Sequence, residues 1–119
     1  MELKEGMYVR IKNKVGYCVI GKIENINDYR EPMMKYCIDI QGNDFIFVPE
    51  EMIIKASNNI IDLIEVGDYV NGYYVEDVKE TFLNIATGSN YFQKPSIFEE
   101  DIKSIVTKEQ FESMSYRVE

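Results

Sequence analysis

The chain carries one motif twice. Gly6-Met7-Tyr8-Val9 returns as Gly67-Asp68-Tyr69-Val70, and Glu50-Glu51-Met52-Ile53 returns as Glu99-Glu100-Asp101-Ile102. A Gly-x-Tyr-Val element opens each copy and a Glu-Glu-x-Ile element closes it. From opening to closing the first copy runs 44 residues and the second 32, so one longer loop in the first copy accounts for most of the difference. A chain of 119 residues is the usual size of one domain, here divided between two very small modules. The expected division is residues 1–59 and 60–119. No Gly/Ser/Pro-rich spacer separates them, and the junction through Ile60-Ile61-Asp62-Leu63-Ile64 is apolar enough to dock against one half or both.

Within each copy the side chains alternate as strands do. Val9 and Ile11 fall on one face of the first segment, with Tyr8, Arg10 and Lys12 on the other. A turn through Asn13-Lys14-Val15-Gly16 leads to a second strand in which Gly21 signals a bulge or bend. Residues 24–35 read as the longest irregular stretch, with Asn25, Asn27, Asp28 and Pro32 as turn formers. Strands are then expected at 36–40 and 45–48, joined by a hairpin through Gln41-Gly42-Asn43-Asp44. A single helical turn at 49–52 precedes a closing strand at 53–56. The second copy repeats the scheme with strands at 68–70, 73–78 and 82–86 and a hairpin turn at 87–90 before Tyr91-Phe92. A helical turn at 99–102 and a last strand at 103–106 complete it. Thr107-Lys108-Glu109-Gln110 has capping-box spacing and opens a short terminal helix whose Phe111 and Met114 share a face. Five short strands with a helical turn before the last resemble an SH3-like barrel, twice over. The expected fold class is therefore all-β, two tandem small SH3-like barrels with a short C-terminal helix.

Composition removes several kinds of chemistry. There is no histidine, hence neither the commonest general base nor the commonest metal ligand. Cys18 and Cys37 alone make neither an activated nucleophile nor a zinc site, and are expected as reduced thiols that could face each other across paired strands. Gly88-Ser89 lacks the frame of a phosphate-binding loop. The carboxylate groups Glu50-Glu51, Glu76-Asp77 and Glu99-Glu100-Asp101 could hold a hard cation, but in a first helical turn they more often complement the helix dipole. No catalytic residue, metal or cofactor is expected. No apolar run approaches the roughly 20 residues that cross a bilayer, and the N-terminus lacks the build of a signal peptide. The expected location is the cytoplasm, with no membrane partner.

Charge is unevenly shared. Residues 1–59 carry 8 Lys/Arg against 9 Asp/Glu, and residues 60–119 carry 5 against 12. The stretch 101–118 is similar to the ending of small uncharacterised phage and prophage proteins of Gram-positive bacteria, and Ile61-Asp62-Leu63-Ile64-Glu65-Val66-Gly67-Asp68-Tyr69-Val70 is similar to a phrase ahead of it in the same group. That resemblance covers the second half well and the first half weakly. It implies a phage origin, hence a host cell, and carries no catalytic motif.

Two binding functions follow as expectations. The first is a non-enzymatic protein that engages a basic host protein, in the manner of an anti-CRISPR inhibitor mimicking the phosphate backbone. Its contacts would be Glu76, Asp77, Glu80, Glu99, Glu100 and Asp101, together with the loop residues Tyr29, Arg30, Met33 and Met34. Nine tyrosines support an interaction surface, since tyrosine combines contact area with a polar tip. The second is nucleic-acid binding through Tyr8, Arg10, Lys12, Lys14 and Lys22, a basic aromatic-edged face. It is opposed by a sequence pI of about 4.6.

Overall fold

A computed structural model describes residues 2–28, 31–40, 44–86 and 95–114. The chain divides into two compact units, Met1–Leu63 and Ile64–Glu119. The short 3₁₀ turn Ile60–Leu63 therefore closes the first unit rather than opening the second, four residues beyond the boundary expected from the repeat. Among the described residues no helix is long and apolar enough to cross a membrane.

The first unit is a five-stranded antiparallel sheet: β1 (Tyr8–Lys12), β2 (Cys18–Ile26), β3 (Tyr36–Asp39), β4 (Phe45–Val48) and β5 (Ile53–Ser57). Its order is β4-β3-β2-β1-β5, with β4 and β5 at the edges. Three hairpins in succession build four strands, and the fifth returns beside the first. The alternation of β1 decides which face closes the core. Val9 and Ile11 are fully buried there with Ile23, Ile38, Val19, Tyr36 and Val48. Each such side chain, taken from water, contributes about 1.5–3 kcal/mol. Ile61 and Leu63 are also buried, so the apolar junction is docked on this unit.

Three readings of the first unit are corrected. β2 runs on to Ile26, so the irregular stretch begins later than residue 24. Asn25 fits within the strand because the ladder shifts register there, Ile23 facing Ile38 and Asn25 facing Cys37. Gly21 is not the site of that shift. It pairs regularly with Val9, and what demands glycine is the approach of β3: a Cβ there would lie 2.6 Å from Ile38 Cγ2 and 2.7 Å from the Asp39 carbonyl oxygen. The cysteines are not cross-strand neighbours either. Cys18 faces Lys12, while Cys37 faces Asn25 and Phe47.

The second unit has β6 (Tyr69–Val70), β7 (Tyr73–Val78), β8 (Phe82–Ala86), β9 (Ser96–Phe98), β10 (Ile105–Val106) and the helix α1 (Lys108–Met114). Its sheet order is β10-β6-β7-β8-β9, which is the first unit's order strand for strand. The equivalence extends to single bonds. Gly6 N–H donates to Ile23 O at 2.8 Å and Gly67 N–H to Val75 O at 3.0 Å, both glycines with positive φ. Val75 faces Ile85 and Asp77 faces Asn84, a register shift at the place equivalent to that in β2. The closing Glu-Glu-x-Ile elements form matching 3₁₀ turns, Glu50–Met52 and Glu99–Asp101, each ended by an isoleucine N–H bonded to the first glutamate's carbonyl. The hairpin expected at 87–90 and the strand at Tyr91-Phe92 lie outside the described residues, as does the hairpin turn at 41–43.

The terminal helix begins as the sequence predicts. Gln110 N–H donates to Thr107 Oγ1 and Thr107 N–H donates to Gln110 Oε1, both at 3.1 Å. The Phe111 ring stacks on Tyr69 with centroids 4.2 Å apart. Beneath it, Asp68 takes the place that Met7 holds in the first copy. Met7 Sδ accepts the Lys4 N–H at 3.2 Å; Asp68 Oδ2 accepts the Glu65 N–H at 2.8 Å, and its Oδ1 accepts the Lys108 N–H at 3.0 Å. One changed residue in the repeat thereby anchors the helix.

Candidate functional site

Cross-strand register gathers the acidic residues of the second unit. Phe82 faces Phe98 on β8 and β9, so the segments flanking that pair, 79–81 and 99–101, must emerge at the same end of the sheet. Glu99 N–H donates to Thr81 O at 3.2 Å, placing the turn that bears Glu80 against the 3₁₀ turn Glu99–Asp101. Glu80, Glu100 and Asp101 are exposed and Glu99 is half-buried. Glu76 is the extra residue at the register shift in β7 and points to solvent. Asp77 is committed locally: its Oδ1 accepts the Val78 N–H at 2.9 Å, and its Oδ2 lies 2.8 Å from Lys79 Nζ.

The acidic 3₁₀ turn is tied at both ends. Thr81 holds its start, and Asn71 holds its finish. Asn71 Nδ2 donates to Asp101 O at 2.9 Å, its Oδ1 accepts the N–H groups of Lys103 and Ser104 at 2.8 and 3.1 Å, and its own N–H donates to Ser104 O at 2.9 Å. Asn71 is able to do this because it sits with φ 53° in a two-residue hairpin turn with Gly72 at φ 85°. Both central residues of that turn have positive φ, the arrangement that favours Asn-Gly between paired strands. The Asn71-Gly72 dipeptide between two strand-like runs is itself a sequence signal for this turn.

Asp68 and Glu65 do not belong to this acidic end. Asp68 is fully buried under α1. Glu65 pairs with Lys108 at 2.9 Å, and that hydrogen bond is the main reason the Lys108 ammonium is held above its ordinary pKa, with partial burial opposing it. Recounted at Leu63, the first unit has 8 basic against 10 acidic residues and the second 5 against 11, so the asymmetry survives the new boundary. Among the described residues no three carboxylates or thiols converge as ligands for one cation.

In the first unit the basic face divides. Lys22 Nζ lies 5.7 Å from the Tyr8 ring centroid, directly across the β1–β2 ladder. Arg10, expected beside them on the surface, is 1% exposed, and its Nη1 donates to Leu63 O at 3.0 Å. The alternation along β1 holds, but the 3₁₀ turn Ile60–Leu63 covers that side of the strand. Lys12 and Lys14 remain exposed at the mouth of a groove of about 790 Å3, which also takes in Met33 of the 3₁₀ turn Pro32–Met34 and the Pro49–Met52 segment. Met34 is exposed in the same turn, whereas Tyr29 and Arg30 lie outside the described residues. Lys35 lies over the Tyr36 ring at 5.5 Å and 3.4 Å from Asp28, and the negative charges around it hold its pKa above the ordinary value, Tyr36 first. The structure thus joins Met33 with Lys12 and Lys14, residues that the sequence had assigned to two different functions. It also adds Val15 and Ile54, which the sequence had not singled out.

These features define a mostly-β protein of two like units, the second bearing an anchored acidic end and the first an open groove. Comparison with known proteins returns no matching family model, no similar curated protein and no matching solved structure.

Proposed function

We propose that the protein acts without catalysis, binding the basic surface of a partner protein through the acidic end of its second unit. The observation that carries this reading is the two-sided anchoring of the 3₁₀ turn Glu99–Asp101, by Thr81 at one end and Asn71 at the other. Carboxylates of like sign repel, so holding Glu99, Glu100 and Asp101 beside Glu80 is unfavourable in the free protein and is relieved when cations arrive. A prearranged set also loses less side-chain freedom on binding. Individual exposed ion pairs contribute little, about 0–1 kcal/mol. A surface of this kind therefore gains mainly through several pairs at once and through faster, salt-sensitive encounter.

A basic protein surface of this description is the kind that otherwise holds the phosphate backbone of nucleic acid. The matching reading is an inhibitor that occupies such a surface in a host, as an anti-CRISPR protein does, and the phage-like ending agrees with it. The repeated strand order is compatible with two SH3-like modules serving as the scaffold. Burial of Arg10 weakens the nucleic-acid alternative, which keeps Tyr8, Lys12, Lys14 and Lys22 but loses its strongest phosphate ligand.

The test is affinity capture from nuclease-treated host lysate, comparing the natural chain with the Glu99→Lys/Asp101→Lys variant. A partner retained by the first and lost by the second, with binding that weakens as salt rises, is expected. A partner held equally by both, or one recovered only when nucleic acid is left intact, overturns the reading.

A further inference from the structure

The two copies also differ where the first strand turns into the second. In the second unit Val70 and Tyr73 are joined by Asn71-Gly72 alone. In the first, residues 13–17 make the connection, and Asn13 orders them. Its side-chain oxygen accepts the N–H groups of Val15 and Tyr17 at 3.1 and 2.9 Å, its own N–H donates to Tyr17 O at 2.9 Å, and Gly16 N–H returns to Asn13 O at 3.2 Å. This fixed turn holds Val15 out in water, 88% exposed. Met33, 62% exposed, and Ile54, 49% exposed, line the same groove of about 790 Å3. An ordered turn that presents bare apolar side chains around a concavity is a surface built to be covered.

The charge around the groove indicates what covers it. Lys12 and Lys14 stand on its turn side and Glu51 is its one carboxylate among the described residues, in a molecule whose net charge is −8. A basic ligand would be drawn instead to the acidic end of the second unit. Among the described residues no aromatic ring lines the groove, so these offer bases nothing to stack on. We propose that the groove receives an extended acidic segment of a partner protein. One apolar side chain seats among Val15, Met33 and Ile54, and flanking carboxylates meet Lys12 and Lys14. Met33 supplies the adaptable wall such a seat needs.

The test uses the full chain, 15N-labelled, titrated with a twelve-residue peptide of glutamate and aspartate around one central leucine. Expected are shift changes centred on residues 12–15, Met33 and Ile54. Affinity should fall at least tenfold when leucine is replaced by serine in the peptide, and at least tenfold in Lys12→Glu/Lys14→Glu. Val15→Ser, at an exposed tip, should weaken it about fivefold with the spectrum otherwise preserved. Equal affinity for the leucine and serine peptides overturns the proposal, as do shift changes that lie elsewhere. It is also overturned if single-stranded DNA perturbs the groove while the peptide does not, or if sedimentation shows self-association that Val15→Ser abolishes.

Discussion

Replacing Asp68 by asparagine tests the single residue that distinguishes the two openings of the repeat most sharply. The fully buried carboxylate accepts the Glu65 N–H at 2.8 Å on one oxygen and the Lys108 N–H at 3.0 Å on the other. An amide of the same shape accepts through one oxygen only, and its NH2 then faces the remaining N–H donor to donor. One charge-assisted bond is lost, worth about 1.5–3 kcal/mol, and the survivor weakens to about 1 kcal/mol. Removing the buried charge returns part of its desolvation cost. The net destabilisation of the second unit should be about 2–3 kcal/mol. At roughly 4–8 °C per kcal/mol for a small domain, its unfolding midpoint should fall by about 10–20 °C. Thermal unfolding followed by circular dichroism, with hydrogen exchange of the Glu65 and Lys108 amides, measures both the loss and its place. The matched control is Met7→Leu in the first copy, where only the weaker N–H to sulfur bond from Lys4 at 3.2 Å is removed and the cost should stay below about 1.5 kcal/mol. If Asp68→Asn moves the midpoint by no more than about 2 °C and leaves the Lys108 amide as protected as before, the anchoring role assigned to Asp68 is wrong.

Two further substitutions address the first unit. Arg10→Met should destabilise it by about 1.5–3 kcal/mol, because the Leu63 carbonyl loses a charged donor at 3.0 Å in a buried place; an unchanged urea midpoint would show that Arg10 is a surface residue after all. Gly21→Ala should cost about 1–3 kcal/mol through overpacking, since the added carbon meets Ile38 and the Asp39 carbonyl below 3 Å; a midpoint equal to the natural chain's would mean that β3 yields freely.

Much of this architecture could be read from residue order. The Gly-x-Tyr-Val and Glu-Glu-x-Ile elements located equivalent turns to the residue, because glycine at positive φ and a 3₁₀ turn between extended residues are local requirements of the backbone. The capping box at Thr107 was legible for the same reason, since both bonds join residues three apart. The acidic end was half legible. Its carboxylates stood out as pairs and triplets along the chain, but their meeting depends on Phe82 facing Phe98, which joins positions 16 apart in sequence. The groove was hardly legible, because its walls come from residues 12–15, Met33 and 49–54, separate segments that share no periodicity.

By itself the sequence determined the duplication, the strand pattern of the first copy, the strands of the second copy other than β9 (Ser96–Phe98), the turn that ends each copy and the cap of the last helix. All of these rest on interactions between near neighbours or on alternation along one strand. Tertiary structure alone decided the fate of Arg10, the need for Gly21 and the roles of Asp68 and Asn71. Alternation could say that Arg10 lies opposite Val9 and Ile11, but not that the 3₁₀ turn Ile60–Leu63, some 50 residues on, would cover that face and present a carbonyl to the guanidinium. A strand has two sides, and its own residues state how those sides differ. Which side meets water is set by what the rest of the chain lays against it.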